Sequence, residues 1–255
     1  MGVRRAALLT AAVLAIAAPT AAAAPTLSWT LVATHPHDAD AFTQGLVAHG
    51  PVLLESTGLF GESTVRRVVP ATGAVLVQQA LAPELFAEGL TVFKGSALQL
   101  TWMNGRVLSY SPTTLVRTSS RRYPFVGWGL TTNGRQLIVS DGTSTVRWLD
   151  PRTLRVERSV TVRDGRREID QLNELELIDG VLWANVWPSD RIALIDPADG
   201  HVRAWLDMAR LRAQLSAPGE VLNGIARYPG TAHIAVTGKW WPELFQIRLA
   251  GRIPA

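Results

Sequence analysis

A short motif recurs five times along the chain: a polar or aromatic residue, then Gly (once Glu), then Leu or Ile. The copies are Phe42-Thr43-Gln44-Gly45-Leu46, Phe86-Ala87-Glu88-Gly89-Leu90, Gly127-Trp128-Gly129-Leu130, Leu172-Asn173-Glu174-Leu175 and Leu222-Asn223-Gly224-Ile225. They are separated by steps of 44, 40, 45 and 50 residues. A period in that range, with β-rich sequence between copies, marks a radial array of four-stranded blades. Five copies predict an all-β chain folded as a five-bladed β-propeller. Equivalent points of a radial array converge on one axis, so Gln44, Glu88, Trp128, Asn173 and Asn223 are expected to ring a common cavity.

The segments between copies support this phase. Each motif is followed by a turn and a β-branched or alternating run: Val52–Ser56, Ala97–Thr101, Leu137–Ser140, Val181–Asn185 and Ile234–Thr237. Each ends in a small polar residue, as a buried strand leading into a turn does. Third strands are read at Val65–Val69, Arg106–Tyr110, Val146–Leu149, Ile192–Ile195 and Leu244–Ile247. Four of these run into a proline, at Pro70, Pro112, Pro151 and Pro197, which fixes φ and lacks an amide donor. Outer strands then fit Ala74–Leu81, Leu115–Ser120, Arg155–Val162 and Val202–Leu206. The fifth unit has no such run after it. Leu27–Thr34, ahead of the first motif, is expected to supply it by pairing with the last blade and closing the ring.

Residues 1–24 read as a secretory signal peptide: Arg4 and Arg5, the apolar stretch Ala6–Ala18, and small residues at Ala21–Ala24. The propeller domain is therefore expected over 25–255, in the bacterial periplasm or secreted medium. No later segment is long and apolar enough to span a bilayer, so no stable membrane association is expected after cleavage. Removing Arg4 and Arg5 takes the formal charge from +4 to +2, too little to argue for a nucleic-acid partner. Zero cysteines exclude disulfides and a thiol nucleophile, leaving the core to stabilise what is expected to be a monomer.

The axial set mixes one carboxylate (Glu88), amides (Gln44, Asn173, Asn223) and an indole (Trp128), which is more than sealing a channel needs. The next loops add Trp102, Trp187 and Lys239. A carboxylate walled by tryptophans is desolvated, which raises its pKa and suits proton transfer near neutral pH. Lys239 follows Thr237-Gly238, where the backbone can turn toward the axis and present a cation to a developing oxyanion. No metal or other cofactor is expected: in His35-Pro36-His37-Asp38 the proline directs the histidines poorly, and no second cluster supports zinc. A G-x-S-x-G nucleophile motif is absent. Gly58–Gly61 and Ser140–Thr143 read as blade turns, and Arg163–Arg167 as a solvated loop. On these residues alone the chain is either an enzyme or a non-catalytic periplasmic propeller that binds peptides or partner proteins.

The motifs together resemble the plant and bacterial glutaminyl cyclases. The segments that carry the resemblance are Pro36-His37-Asp38, Phe42–Leu46, Phe86–Thr91, Leu100-Thr101-Trp102, Gly127–Thr131, Ser140–Thr143, Leu172–Glu176, Ala184–Trp187, Leu222–Ala226 and Thr237-Gly238-Lys239. The resemblance implies a five-bladed propeller acting on peptides or proteins that begin with Gln, converting that residue to pyroglutamate and releasing ammonia. It implies a site of Phe42, Gln44, Phe86, Glu88, Trp102, Trp128, Asn173, Trp187 and Lys239. The chemistry then gives Glu88 the proton shuttle, while Lys239, with Asn173 or Gln44 and an indole N–H, holds the oxyanion. Phe42, Phe86, Trp102, Trp128 and Trp187 cage the substrate side chain.

Overall fold

The computed structural model describes residues 23–254. The signal peptide expected over 1–24 lies outside the described residues except for Ala23 and Ala24. The first strand, β1 (Trp29–Pro36), precedes blade 1, which is β2 (Thr43–His49), β3 (Val52–Thr57), β4 (Thr64–Val68) and β5 (Val75–Ala80). Blade 2 is β6 (Ala87–Phe93), β7 (Ser96–Thr101), β8 (Arg106–Tyr110) and β9 (Arg117–Arg122). Blade 3 is β10 (Leu130–Thr132), β11 (Leu137–Val139), β12 (Thr145–Leu149) and β13 (Val156–Thr161). A small hairpin, β14 (Arg163–Asp164) and β15 (Arg167–Glu168), leads to blade 4: β16 (Leu172–Ile178), β17 (Val181–Val186), β18 (Arg191–Ile195) and β19 (Val202–Asp207). A single helical turn, α1 (Ala209–Arg212), precedes blade 5: β20 (Leu222–Arg227), β21 (Ile234–Gly238) and β22 (Glu243–Leu249). The fourth strand of that sheet is β1, antiparallel to β22 from Trp29↔Leu249 to Pro36↔Glu243.

The innermost strands form a ring in which β2 packs against β6 and β20, β10 against β6 and β16, and β16 against β20. Five apolar clusters fill the wedges between blades, one at each interface. The strand period of two assigns alternate residues to opposite wedges. Leu53 packs toward blade 5 while Leu54 packs toward blade 2, and Ala97 and Leu98 divide between blades 1 and 3 in the same way. Strands buried on both faces therefore read as continuous apolar runs. Of the nine tryptophans, Trp148, Trp183, Trp205 and Trp241 lie in these wedges.

Four of the five axial motifs coincide with irregular pairing. Register shifts fall between Thr43 and Gly45, Ala87 and Leu90, Leu172 and Leu175, and Leu222 and Ile225. A bulge adds a residue to one strand and re-aims its side chain, which is how a pleated inner strand turns a polar group onto the axis. The glycine in the motif has a steric reason as well. A Cβ on Gly89 would lie 2.4 Å from the Leu130 amide nitrogen, and the Gly89 N–H donates to Trp128 O at 2.7 Å. Blades 2 and 3 meet backbone to backbone there.

Arg163–Arg167, expected as a plain solvated loop, is a two-rung hairpin. Its Asp164 accepts from Ala24 N at 2.7 Å and from Trp205 Nε1 at 2.9 Å, so the turn is tied to blade 4. The His35–Asp38 segment also has a structural task. Buried Glu55 accepts from His37 Nε2 (2.9 Å), Thr43 Oγ1 (2.7 Å) and Arg66 Nε (2.9 Å), and Arg66 Nη1 reaches Asp38 at 2.6 Å. The network joins the segment after β1 to blade 1, while the Nδ1 side of the ring meets Trp241 O at 2.6 Å in blade 5.

Candidate active site

At one end of the axis the loops between strands surround a cavity of about 390 Å³. It is lined by Phe42, Gln44, Phe86, Glu88, Trp102, Trp128, Asn173, Trp187 and Lys239, the nine residues expected from the sequence, drawn from all five blades. Backbone pairing at the strand ends fixes the walls. Gly58 N donates to Phe42 O at 2.8 Å, Trp102 N to Phe86 O at 2.9 Å, and Trp187 N to Gln171 O at 2.9 Å. Trp128 is held by its backbone N–H, which donates to Ser140 O at 2.9 Å. Its ring lies over Gly142 (φ +81°), where a Cβ would come within 2.9 Å of the indole, so the Ser140–Thr143 turn is the bed for that ring.

The aromatic wall has two parts, one built on Phe42, Phe86 and Trp102 and one on Trp128 and Trp187. Phe42 meets Phe86 edge-on at 6.2 Å, Phe86 meets Trp102 at 5.6 Å, and Trp128 meets Trp187 at 6.3 Å with the rings near perpendicular. Such edge contacts are the favoured geometry for aromatic pairs. Two rings not anticipated among the site residues extend the wall: Phe60 packs on Phe86 at 5.4 Å, and Trp240 on Phe42 at 5.0 Å. Phe60 is 52% exposed, an unusual state for phenylalanine.

Glu88 lies inside this wall and is buried. Burial pushes its carboxyl well above the ordinary range, against the opposing pull of the Lys239 charge. Its Oε1 accepts from Gln44 Nε2 at 3.3 Å, whereas Oε2 has no intramolecular partner. Gln44 is held in turn, its Oε1 accepting from Asn223 Nδ2 at 3.1 Å, and the same amide donates to Thr43 O at 2.9 Å. Asn223 thus does not line the cavity. It lies fully buried and supports Gln44.

Lys239 hangs from a backbone anchored on both sides: its N–H donates to Val221 O at 3.0 Å, and its carbonyl accepts from Glu220 N at 2.8 Å. Its Nζ stands 4.5 Å from the centroid of the Phe42 ring, a cation–π contact. Burial lowers its pKa, with Glu88 and then Glu220 opposing the shift. Asn173 Oδ1 and Trp128 Nε1 are also buried without partners, so the cavity residues keep two acceptors and a donor uncommitted.

Beneath the cavity sits a residue whose importance the sequence reading missed. Glu174 occupies the motif position that is glycine in the other four copies. Its carboxylate crosses the axis, Oε2 accepting from Ile225 N of blade 5 at 3.0 Å and Oε1 from Leu46 N of blade 1 at 3.4 Å. The odd residue in an otherwise regular repeat was the available signal. Among the described residues no group of three or more His, Asp and Glu side chains is placed to hold a metal ion.

A family model described as glutamine cyclotransferase matches residues 5–249. A glutaminyl-peptide cyclotransferase of Arabidopsis thaliana is 43% identical over 229 residues, covering 86% of this chain and 70% of the relative. The crystal structure of Myxococcus xanthus glutaminyl cyclase superposes with a TM-score of 0.81 at 35% identity, covering 89% of this chain and 98% of that one.

Proposed function

The chain belongs to the glutamine cyclotransferase family and is a glutaminyl-peptide cyclotransferase; we propose that the aromatic cavity is its active site, with Glu88 moving the proton. The enzyme converts the N-terminal Gln of a peptide or protein into pyroglutamate and releases ammonia. The α-amine attacks the side-chain amide carbon of the same residue, so one C–N bond forms and one breaks, with no net redox change. The protein's task is to fold the substrate, carry one proton and stabilise charge.

Glu88 accepts the proton from the attacking amine and returns it to the departing amide nitrogen, which leaves as ammonia. An α-amine titrates near pH ~8. Burial raises the Glu88 carboxyl, and so narrows the gap in proton affinity between it and the amine. Gln44, bonded to Glu88, orients it. Lys239 and the Trp128 N–H, with Asn173, stabilise the oxygen of the tetrahedral intermediate. The five aromatic walls bend the glutamine side chain back on its own amine and exclude the water that would hydrolyse the amide instead. The single observation that carries this reading is the convergence of Glu88, Lys239 and unspent polar atoms in one apolar cavity.

The test is mass loss of one ammonia from a Gln-initiated peptide, with and without chelator. Glu88→Gln is expected to lower kcat by roughly 10²–10⁴-fold. Near-parental turnover in that variant would refute the assignment. We also propose that the enzyme acts outside the cytoplasm, as a monomer free of the membrane; the export-signal pattern in residues 1–24 supports the location. Exported protein sequenced from its N-terminus should begin near Pro25.

A further inference from the structure

The catalytic cavity accounts for one substrate residue, but the rest of the peptide must leave across the rim. A groove of about 370 Å³ opens between the β7–β8 loop and the β9–β10 connection, bordered by Met103, Asn104, Gly105 and by Arg122 through Val126. Its lining adjoins that of the cavity in sequence: Met103 follows Trp102, and Val126 lies two residues before Trp128. Its two walls are pinned together. Tyr123 N donates to Gly105 O at 2.9 Å, Tyr123 Oη to Thr101 O at 3.0 Å, and Gly127 N to Trp102 O at 3.4 Å.

Two features of this groove lack a structural explanation. Met103 is 63% exposed and Val126 38%, apolar side chains left in solvent beside the mouth of the cavity. At the far end Arg122 stands directly across the β8–β9 ladder from Arg106. Like charges directly opposite on neighbouring strands destabilise a sheet unless something neutralises them. Among the described residues no carboxylate comes within ion-pairing distance of either guanidinium. The nearby Ser120 hydroxyl, which accepts from Arg106 Nη1 at 3.2 Å, carries no charge.

We propose that this groove holds the peptide segment following the N-terminal glutamine, and that Arg122, with Arg106 behind it, selects segments bearing a carboxylate. The inference rests on the cyclotransferase reading of the cavity. The occupant follows from charge complementarity and from a lining that adjoins that of the cavity in sequence: apolar side chains are offered to the residue next to Gln, and the unneutralised Arg122 guanidinium, with Arg106 opposite it on the neighbouring strand, to the chain further on. The carboxylate is an Asp or Glu side chain.

Three amidated peptides, Gln-Leu-Ala-Glu, Gln-Leu-Ala-Gln and Gln-Leu-Ala-Lys, test it through ammonia release at low and high ionic strength. The Glu peptide is expected to exceed the Lys peptide in kcat/KM by about five- to ten-fold at low salt, chiefly through KM, the scale of exposed charge contacts. The ratio should shrink at high salt, and Arg122→Gln should bring it toward one. Companion peptides carry the charged residue one position earlier and one later, spanning the length of the groove. A Glu-to-Lys ratio that is flat in the parent across these positions, or unaltered by Arg122→Gln, would overturn the groove assignment alone. Failure of the neutral peptide to release ammonia would overturn the cavity reading as well.

Discussion

Glu174→Ala is the sharpest test of how the active end of the axis is held. The substitution strands two buried donors, Leu46 N and Ile225 N, that now end on one carboxylate. A buried donor without a partner costs about 1–3 kcal/mol, so two cost about 2–6 kcal/mol. Burial already pushes the Glu174 carboxyl well above its ordinary range, with Glu176 adding to the shift, so its removal returns part of that cost. A net loss of about 2–4 kcal/mol remains, which for a domain of this length lowers Tm by roughly 5–15 °C. Thermal unfolding followed by tryptophan fluorescence reads it directly. Glu174→Gln, which keeps one acceptor, should fall between parent and Ala. Because Leu46 lies two residues beyond Gln44, kcat should also drop in the Ala variant, by about ten-fold, as Gln44 loosens against Glu88. A Glu174→Ala protein melting within about 2 °C of the parent, a shift of under ~1 kcal/mol, would refute the idea of a carboxylate tie.

Trp128→Phe keeps an aromatic ring but deletes the buried, unpartnered indole N–H; kcat should fall about 10²-fold with KM little changed, measured by steady-state ammonia release. Gly89→Ala sets a methyl group 2.4 Å from a backbone nitrogen of blade 3, and should cost about 1–3 kcal/mol in denaturant unfolding while also displacing the adjacent Glu88. The His37–Glu55–Arg66 network predicts a two-sided pH dependence. Burial raises the Glu55 carboxyl, but His37, Arg66 and Thr43 outweigh it and leave it far below 4.5, so its contribution is present above 4.5 and lost as pH falls through the lowered value. Burial lowers His37, but Glu55 outweighs it and holds the imidazole above 6.5, so that contribution is full below 6.5 and lost as pH rises through the raised value. Glu55→Gln should flatten both limbs of the denaturant midpoint plotted against pH.

Much of the molecule was legible because the repeat expresses a packing need at each blade. Inner strands must touch backbone to backbone, which calls for glycine, and the residue beside it is bulged onto the axis. Gln44 and Glu88 could be found that way, Trp128 from its flanking glycines, and Asn173 from its phase in the repeat. Lys239 was legible as a rare lysine after a glycine. Phe60 was read only as part of a glycine-flanked turn, since its contacts come from Phe86 and Trp102, remote in sequence. The Asn223 side chain turns beneath the cavity to serve Gln44, a choice made by local register that no spacing rule reports. Neither the hairpin at Arg163–Glu168 nor its grip on Trp205 has a repeat counterpart, so periodicity was silent about it.

The sheet that unites β1 with β20, β21 and β22 has a consequence for the order of events during synthesis. Its outer strand is made before blades 1 to 4 and its other three strands after them, so the outer strand has no partner until all four blades have been synthesised. The wedge between blades 5 and 1 therefore stays open until β20 to β22 exist. Pairing across so long a sequence separation makes this last assembly step slow. A circular permutant with new ends between β1 and β2 would deliver those four strands consecutively and should refold faster.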